Sequence, residues 1–497
     1  MIPRVLSLAT PLFAYISIGL LAVGLYRERK SIEWVGGIAA LVALIASFAL
    51  VPPVHQLFFD EDIYIHIASN LSHAPVAQVT LAGSAQESEA SSYFKSPAGL
   101  PVLLSLVFLL TGASEAVAFA AARVMYSLLV AGVYHFARRM GLDRWQSIAA
   151  AAVVASVPVC FRFSVSAGTD VPAALFAVLG MWGIAAGNGA LAAAGLAMAA
   201  QTRMEMITLV PLIFSTRAIE IKWKAAAVAL ALAELLHIGW VLSAAPQFAA
   251  FERVPSAFGF GNFLTNFKAD ISYFFDPFRF PVLVTPLFGI AFVRRNTFRL
   301  ALWTGLLLGV YLFFYAGTFT VTPRYSIQLA VPMAVLAASV TKQRYTTAAL
   351  LLSSALAFTQ WRSGPEYVPE LIDDHAFATE LASRLGHDDL VVTTEPEVFL
   401  NNGAHAMNAF YAADQPEQLH RELRRYRRVL YYAGAQTNVV NGPEWQADQW
   451  MKSHYKLRAI DSRRVGNVRI AYFEVSGVTG DGKGEIRPGS GSNRDGN

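Results

Sequence analysis

The stretch FFDEDIYIHIASNL, residues 58–71, decides how the rest of the chain is read. It follows an apolar run long enough to cross a membrane, yet it carries three consecutive acids, Asp60, Glu61 and Asp62. Charged groups beside a lipid core are costly unless water, a counter-charge or a function holds them there. Which end of the bundle these acids occupy is therefore the first question.

Composition fixes the solvent. Of 497 residues, 55% are hydrophobic and only 15% charged, with a mean hydropathy of +0.43. A soluble domain carries about 25% charged residues, so most of this chain is solvated by lipid. The formal charge of +4 is small, and its placement matters more than its sum. A single cysteine, Cys160, excludes an intramolecular disulfide framework and a cysteine-rich metal site. The first apolar run has full span length and is followed by RERK (27–30), so no cleavable signal peptide is expected.

Spanning helices need roughly 20 apolar residues. Such runs lie near 5–26, 34–53, 115–137, 145–163, 170–187, 223–244, 299–320, 324–341 and 345–361, with shorter ones at 189–202, 204–217 and 281–293. Together they predict about 12 crossings. If the runs alternate, the basic clusters at 27–30, 138–144, 217–224, 294–299 and 342–344 all fall on one side. Positive residues in short loops mark the cytoplasm, which places both termini outside. The acids then head a long outer loop, 54–95. The segment 96–112 is apolar but short and rich in proline at its start, so it is expected to lie along or dip into the outer interface. Reading it as a full span would put Arg138 and Arg139 outside.

The membrane region is thus expected to fill residues 1–362. From 365 to 476 helical and strand patterns alternate, as in a small α/β domain, here extracytoplasmic. The tail, 477–497, is too polar and glycine-rich to pack, and disorder is expected there.

The outward-facing polar residues form a small set: Asp60, Glu61, Asp62, Tyr64 and His66 at the loop head, Lys95 at its end, then Asp170, Arg203, Glu205, Arg324 and Tyr325. Carboxylates suit a general base or a sugar-hydroxyl ligand. Separated lysines and arginines suit a phosphate held where little water competes. Glycosyl transfer from a lipid-phosphate sugar needs both: the acceptor hydroxyl loses a proton, and the departing phosphate gains charge.

These residues resemble a family. DEDIY (60–64) fits the D-E-x-x-Y pattern that heads the first outer loop of the GT-C membrane glycosyltransferases, and the nearest subgroup resembles the protein mannosyltransferases and aminoarabinose transferases. KSPAGLP (95–101) is similar to the family's [KH]-x-P helix, and FARRMGL (136–142) to its basic corner. SAGTDVP (166–172), QTRMEM (201–206) and TPRYSIQLAVP (322–332) follow in the family's order, so the resemblance covers roughly 58–340. It departs in three places: an additional span precedes the acidic motif, KSPAG replaces K-P-P-L, and Arg203 stands where lysine is usual.

The resemblance implies an inverting single displacement that moves a sugar from a polyprenyl-phosphate donor to an acceptor hydroxyl. Asp60 would be the base, and Glu61 would support it or bind a sugar hydroxyl. Lys95, Arg203 and Arg324 would contact the donor phosphate, with Tyr64, Asp170, Glu205 and Tyr325 in support. Acceptors in such a family are glycolipids, polysaccharides or proteins, and the setting is a bacterial cytoplasmic membrane with the site outside. Branches differ in their use of a divalent metal. No D-x-D stands near the second outer loop, so no obligatory metal is expected and no metal ligand is assigned.

The plainer readings are structural. Asp60 and Glu61 could begin a solvated loop, Lys95 could snorkel, Asp170 could cap a helix, and Arg203 could simply pair with Glu205. His55, His66 and His73 lack helical metal-ligand spacing and read as loop histidines. The competing functions are a transporter of about 12 spans and a non-catalytic scaffold for the α/β domain.

Overall fold

The computed structural model describes residues 2–57, 59–84, 87–93, 96–243, 258–292, 298–314, 316–341, 343–362 and 369–479, in two compact units, Met1–His375 and Ala376–Asn497. Lys95, Arg294, Arg295, Lys342 and the tail from 480 lie outside the described residues.

The first unit is helical. Its elements are α1 (Ile2–Glu28), α2 (Trp34–Leu50), α3 (Phe59–His73), a hairpin of β1 (Val79–Gly83) and β2 (Ser88–Ser92), α4 (Gly99–Thr111), α5 (Glu115–Arg139), α6 (Arg144–Ser156), α7 (Pro158–Arg162), α8 (Asp170–Ala186) and α9 (Gly189–Thr202). A 3₁₀ segment, Met204–Ser215, then leads to α10 (Ile221–Ser243), α11 (Phe263–Phe275), α12 (Val284–Phe292), α13 (Phe298–Phe313), α14 (Ile327–Ser339) and α15 (Arg344–Phe358). The first unit ends within α16 (Pro369–Ala382).

Apolar side chains are spent on two solvents. On α2, Trp34, Ile38, Leu41, Ile45 and Phe48 recur at helical spacing and are exposed, as a lipid-facing stripe must be. On α8 and α9 nearly every residue is buried instead, and small residues set the spacing. A Cβ on Gly195 would stand 2.3 Å from the backbone nitrogen of Gly180, so neither helix could approach the other with a larger residue there.

Among the described residues, three helical stretches, Ile2–Ser31, Glu115–Arg139 and Ile221–Val241, are long and apolar enough to cross a membrane alone. A fourth candidate is the pair Arg144–Ser156 and Pro158–Val165, bent by 70°. The run expected at 145–163 is therefore broken, because proline at the first position of α7 cannot continue the ladder of α6. Six further apolar helices among the described residues are shorter, so by length and apolarity those residues alone do not establish the 12 crossings expected.

The helix ends sort into two groups. At one end, Arg139 pairs with Glu28 at 2.6 Å and Arg138 with Glu33 at 2.8 Å, joining α5 to α1 and α2. Asn188, between α8 and α9, donates to the Gly24 carbonyl at 2.9 Å, and Lys224 of α10 donates to the Thr216 carbonyl at 2.7 Å. These are the loops where the basic clusters fall. The opposite end gathers α3, the start of α8, the end of α9 and the segment before α14. The helix α4 stays with that end: Gly99 lies against the Gln201 carbonyl, and Glu115, after α4, lies against His55.

The second unit contains β3 (Asp389–Thr393), α17 (Pro396–Asn401), β4 (His405–Asn408), α18 (Ala409–Asp414), α19 (Pro416–Arg425), β5 (Arg428–Ala433), α20 (Pro443–His454), β6 (Tyr455–Val465) and β7 (Val468–Val478). Its strands run β4-β3-β5-β7-β6. The first three are parallel, and β7 and β6 form an antiparallel hairpin on β5. Gly466, at φ 57°, supplies the left-handed turn of that hairpin. Proline begins α17, α19 and α20, where its missing N–H costs no helix bond.

Candidate active site

The first turn of α3 carries the three acids, and successive helical residues point about 100° apart. Each acid consequently meets a different neighbour. Asp60 faces Arg324, with Nη1 3.6 Å from Oδ2; its side chain is 49% exposed, open enough to meet a substrate. Glu61 is fully buried and does not join Asp60. Its Oε1 accepts from the Gln56 and Leu57 amides at 3.2 and 3.3 Å and from the Ser166 hydroxyl, and its Oε2 pairs with His55 Nδ1 at 2.8 Å. Asp62 faces His375 at 3.1 Å.

Around Asp60 the structure gathers residues from four distant parts of the sequence. Arg203 caps the end of α9 and is nearly buried, with the Asp170 carboxylate on Nη1 and Glu205 on Nε at 2.6 Å. Asp170 opens α8, and its backbone carbonyl accepts from Gln328 Nε2 of α14 at 2.8 Å. Glu205 also accepts from the Tyr311 hydroxyl at 2.9 Å. The Tyr311 and Tyr325 rings stack with centroids 5.0 Å apart. Both guanidiniums lie over Tyr325, Arg203 at 5.0 Å and Arg324 at 5.5 Å from the ring centre. Beneath Asp60, Tyr64 reaches Ser96 Oγ at 3.5 Å, and burial, then the Asp60 charge, push its phenol up to about 12.

Asp60, Tyr64, Asp170, Arg203, Glu205, Arg324 and Tyr325 therefore share one site, Glu61 supports the loop behind it, and Lys95 lies outside the described residues. Two site residues were missed in the sequence. Tyr311 sits inside an apolar run, with nothing in the pattern to single it out. Asn266 of α11 donates to the Tyr311, Leu312 and Phe314 carbonyls at 3.0, 3.1 and 2.6 Å and so holds the end of α13 in place. His66 is a buried structural residue whose Nε2 accepts from the Thr80 amide at 3.2 Å.

Chemically, this is a half-open carboxylate beside two arginines, one of them nearly dry. Such an arrangement can take a proton on one side and hold a phosphate on the other.

Residues 95–240 match the family model described as dolichyl-phosphate-mannose-protein mannosyltransferase. No curated protein sequence matches the chain significantly. Among solved structures the chain is similar to ArnT from Cupriavidus metallidurans bound to undecaprenyl phosphate, with 14% identity, TM-score 0.54, and 89% of this chain and 98% of that chain covered. It is also similar to the Archaeoglobus fulgidus oligosaccharyltransferase tethered to an acceptor peptide, with 10% identity, TM-score 0.49, and 88% and 74% covered. The ArnT likeness carries the fold assignment, and it extends over both units. With the motifs in order, the family model on the segment that holds them and this likeness along almost the whole chain, the protein has the fold of the GT-C integral-membrane glycosyltransferases.

Proposed function

We propose that the protein transfers a sugar from a polyprenyl-phosphate donor to an acceptor hydroxyl, inverting the anomeric carbon in one displacement. The observation that carries this reading is Asp60, half exposed, 3.6 Å from Arg324 and backed by the Arg203–Tyr325 group. Asp60 takes the acceptor proton as the hydroxyl attacks. Arg324 and Arg203, with Lys95, meet the charge that develops on the departing lipid phosphate, and low exposure strengthens that attraction. Asp170 and Glu205 hold Arg203 in place, Tyr64 and Tyr325 shape the pocket, and Glu61 fixes the loop that presents α3. The arginines already supply the charge a leaving phosphate needs, so no metal is assigned to the transfer step. The bound undecaprenyl phosphate of the ArnT structure supports a donor of the same class.

The site lies at the end of the bundle opposite the basic loops, which supports an extracytoplasmic site in a bacterial cytoplasmic membrane. That position also argues against a transporter, whose binding site belongs near mid-depth. A glycolipid, a polysaccharide or a protein supplies the acceptor hydroxyl.

Mass spectrometry of envelope glycolipids and glycans tests the reading, comparing cells with the protein, without it, and with Asp60→Asn. A sugar should vanish with the protein and stay absent in the Asp60→Asn cells, although that variant inserts normally. An unchanged envelope would sink the transferase reading, and full transfer by Asp60→Asn would remove Asp60 as base.

A further inference from the structure

Behind the first turn of α3 lies a second group of charges that the transfer chemistry does not use. His55, Asp62 and His375 are all buried, and one nitrogen or carboxylate oxygen from each lies within 4.8 Å of the others. His55 Nδ1 stands 2.8 Å from Glu61 and its Nε2 3.0 Å from Glu115. His375 Nε2 is 3.1 Å from Asp62 Oδ2, and the two imidazole rings are tilted by 40° with centroids only 4.1 Å apart. All five residues belong to the first unit, of which His375 is the last.

Two buried carboxylates, Glu61 and Asp62, and the more exposed Glu115 thus face two buried imidazoles. This donor set suits a divalent ion, which two imidazole nitrogens and one carboxylate oxygen can share. Imidazole nitrogens and a carboxylate oxygen bind first-row metals at about 2.0–2.2 Å, so ligand atoms around one ion lie roughly 3–4 Å apart. The present spread needs less than about an ångström of closing to reach that range.

We propose that His55, Asp62 and His375 bind one divalent transition-metal ion, Zn²⁺ or Mn²⁺ by their mixed nitrogen and oxygen donors. One nitrogen of His55 binds the ion while the other keeps a carboxylate partner, Glu61 or Glu115, the usual arrangement of a ligating histidine. Asp62 lies about 200° around the helix from Asp60. The ion therefore grips the back of the turn whose front presents Asp60, and it acts by position, without touching the reacting atoms. The inference stands apart from the transferase reading. The sequence conceals this set because His375 lies 313 residues beyond Asp62.

The full chain, purified in detergent without chelator and dialysed against Zn²⁺ or Mn²⁺, tests it by elemental analysis and thermal unfolding. Wild type should hold about one ion per chain and lose several degrees of Tm in EDTA, regained when the ion is restored. His375→Ala and Asp62→Asn should each lower bound metal at least about tenfold, whereas His73→Ala, at the exposed end of α3, should not. Wild type with under about one tenth of an ion and a Tm indifferent to EDTA overturns the proposal. So does His375→Ala that retains a full equivalent. Should His375→Ala not fold, the wild-type EDTA response decides alone.

Discussion

Three adjacent acids with three separate partners should respond differently to the same loss of charge. Asp60→Asn is expected to keep the thermal stability of the parent and to lose transfer, because Asp60 is half exposed and has one long ion pair. Glu61→Gln should behave in the opposite way. It leaves His55 facing an amide inside a buried pocket, at a cost on the order of 1–3 kcal/mol, so Tm should fall while measurable transfer survives. Comparing Tm and initial rate for the two proteins checks both statements. Arg203→Lys should raise the donor KM and lower kcat/KM by about tenfold or more, since an ammonium cannot span Asp170 and Glu205 as a planar fork does. An unaltered donor KM would take Arg203 out of the phosphate site. At this scale the sequence was informative for ionisable groups, because an acid or arginine bordering apolar runs has few innocent explanations. It was silent on Tyr311 and on the way Glu61 turns from its neighbour, both of which depend on packing.

Among the elements, α9 was read at its structural bounds, 189–202, because Asn188 and Arg203 frame an unbroken apolar run. The bend after α6 was not foreseen, since apolarity continues through it and only Pro158 signals the break. Neither was β6, whose residues are mostly polar and exposed, as suits the charged edge of a sheet. The short helices α17 and α18 hold too few residues for a period to show. The contact of α4 with α9 gives a prediction at this scale. A Cβ at Gly99 would lie 2.6 Å from the Gln201 carbonyl oxygen, two residues from Arg203. Gly99→Val should therefore push α4 from the end of α9, lowering transfer by about tenfold and Tm with it, because overpacking costs about 1–3 kcal/mol. Gly112→Val is a poor comparison, since Gly112 has φ 82°; Leu110, 87% exposed on α4, is the better control site, for a substitution such as Leu110→Ala.

For the whole molecule, sidedness is the property that joins the helices to the site. Cys160 is buried, so the natural chain offers a quiet background for thiol labelling. A cysteine replacing Val321, exposed at the site end, should react with an impermeant maleimide in intact spheroplasts, whereas one replacing Arg144 should react only after permeabilisation. The reverse pattern would invert the proposed orientation. The second unit has its own response to acid. Arg428 and the Gly386 amide overcome burial and hold the Asp389 carboxyl below its ordinary range. This lowered value makes the pair stabilising above the unfolded carboxylate pKa, near 3.9, and the benefit is lost as pH falls through the folded value. Hydrogen exchange along β3 should accordingly quicken in acid, and Asp389→Asn should remove that acid-dependent component.

The grip of Asp170 and Glu205 on Arg203 bears on turnover. Within the proposed reaction, an incoming lipid phosphate must dislodge resident anions before it can claim this guanidinium, and the spent carrier leaves to find its berth refilled from inside the protein. Such rivalry tempers product retention, so a phosphate-bearing inhibitor would gain less from this arginine than a bare cation could give.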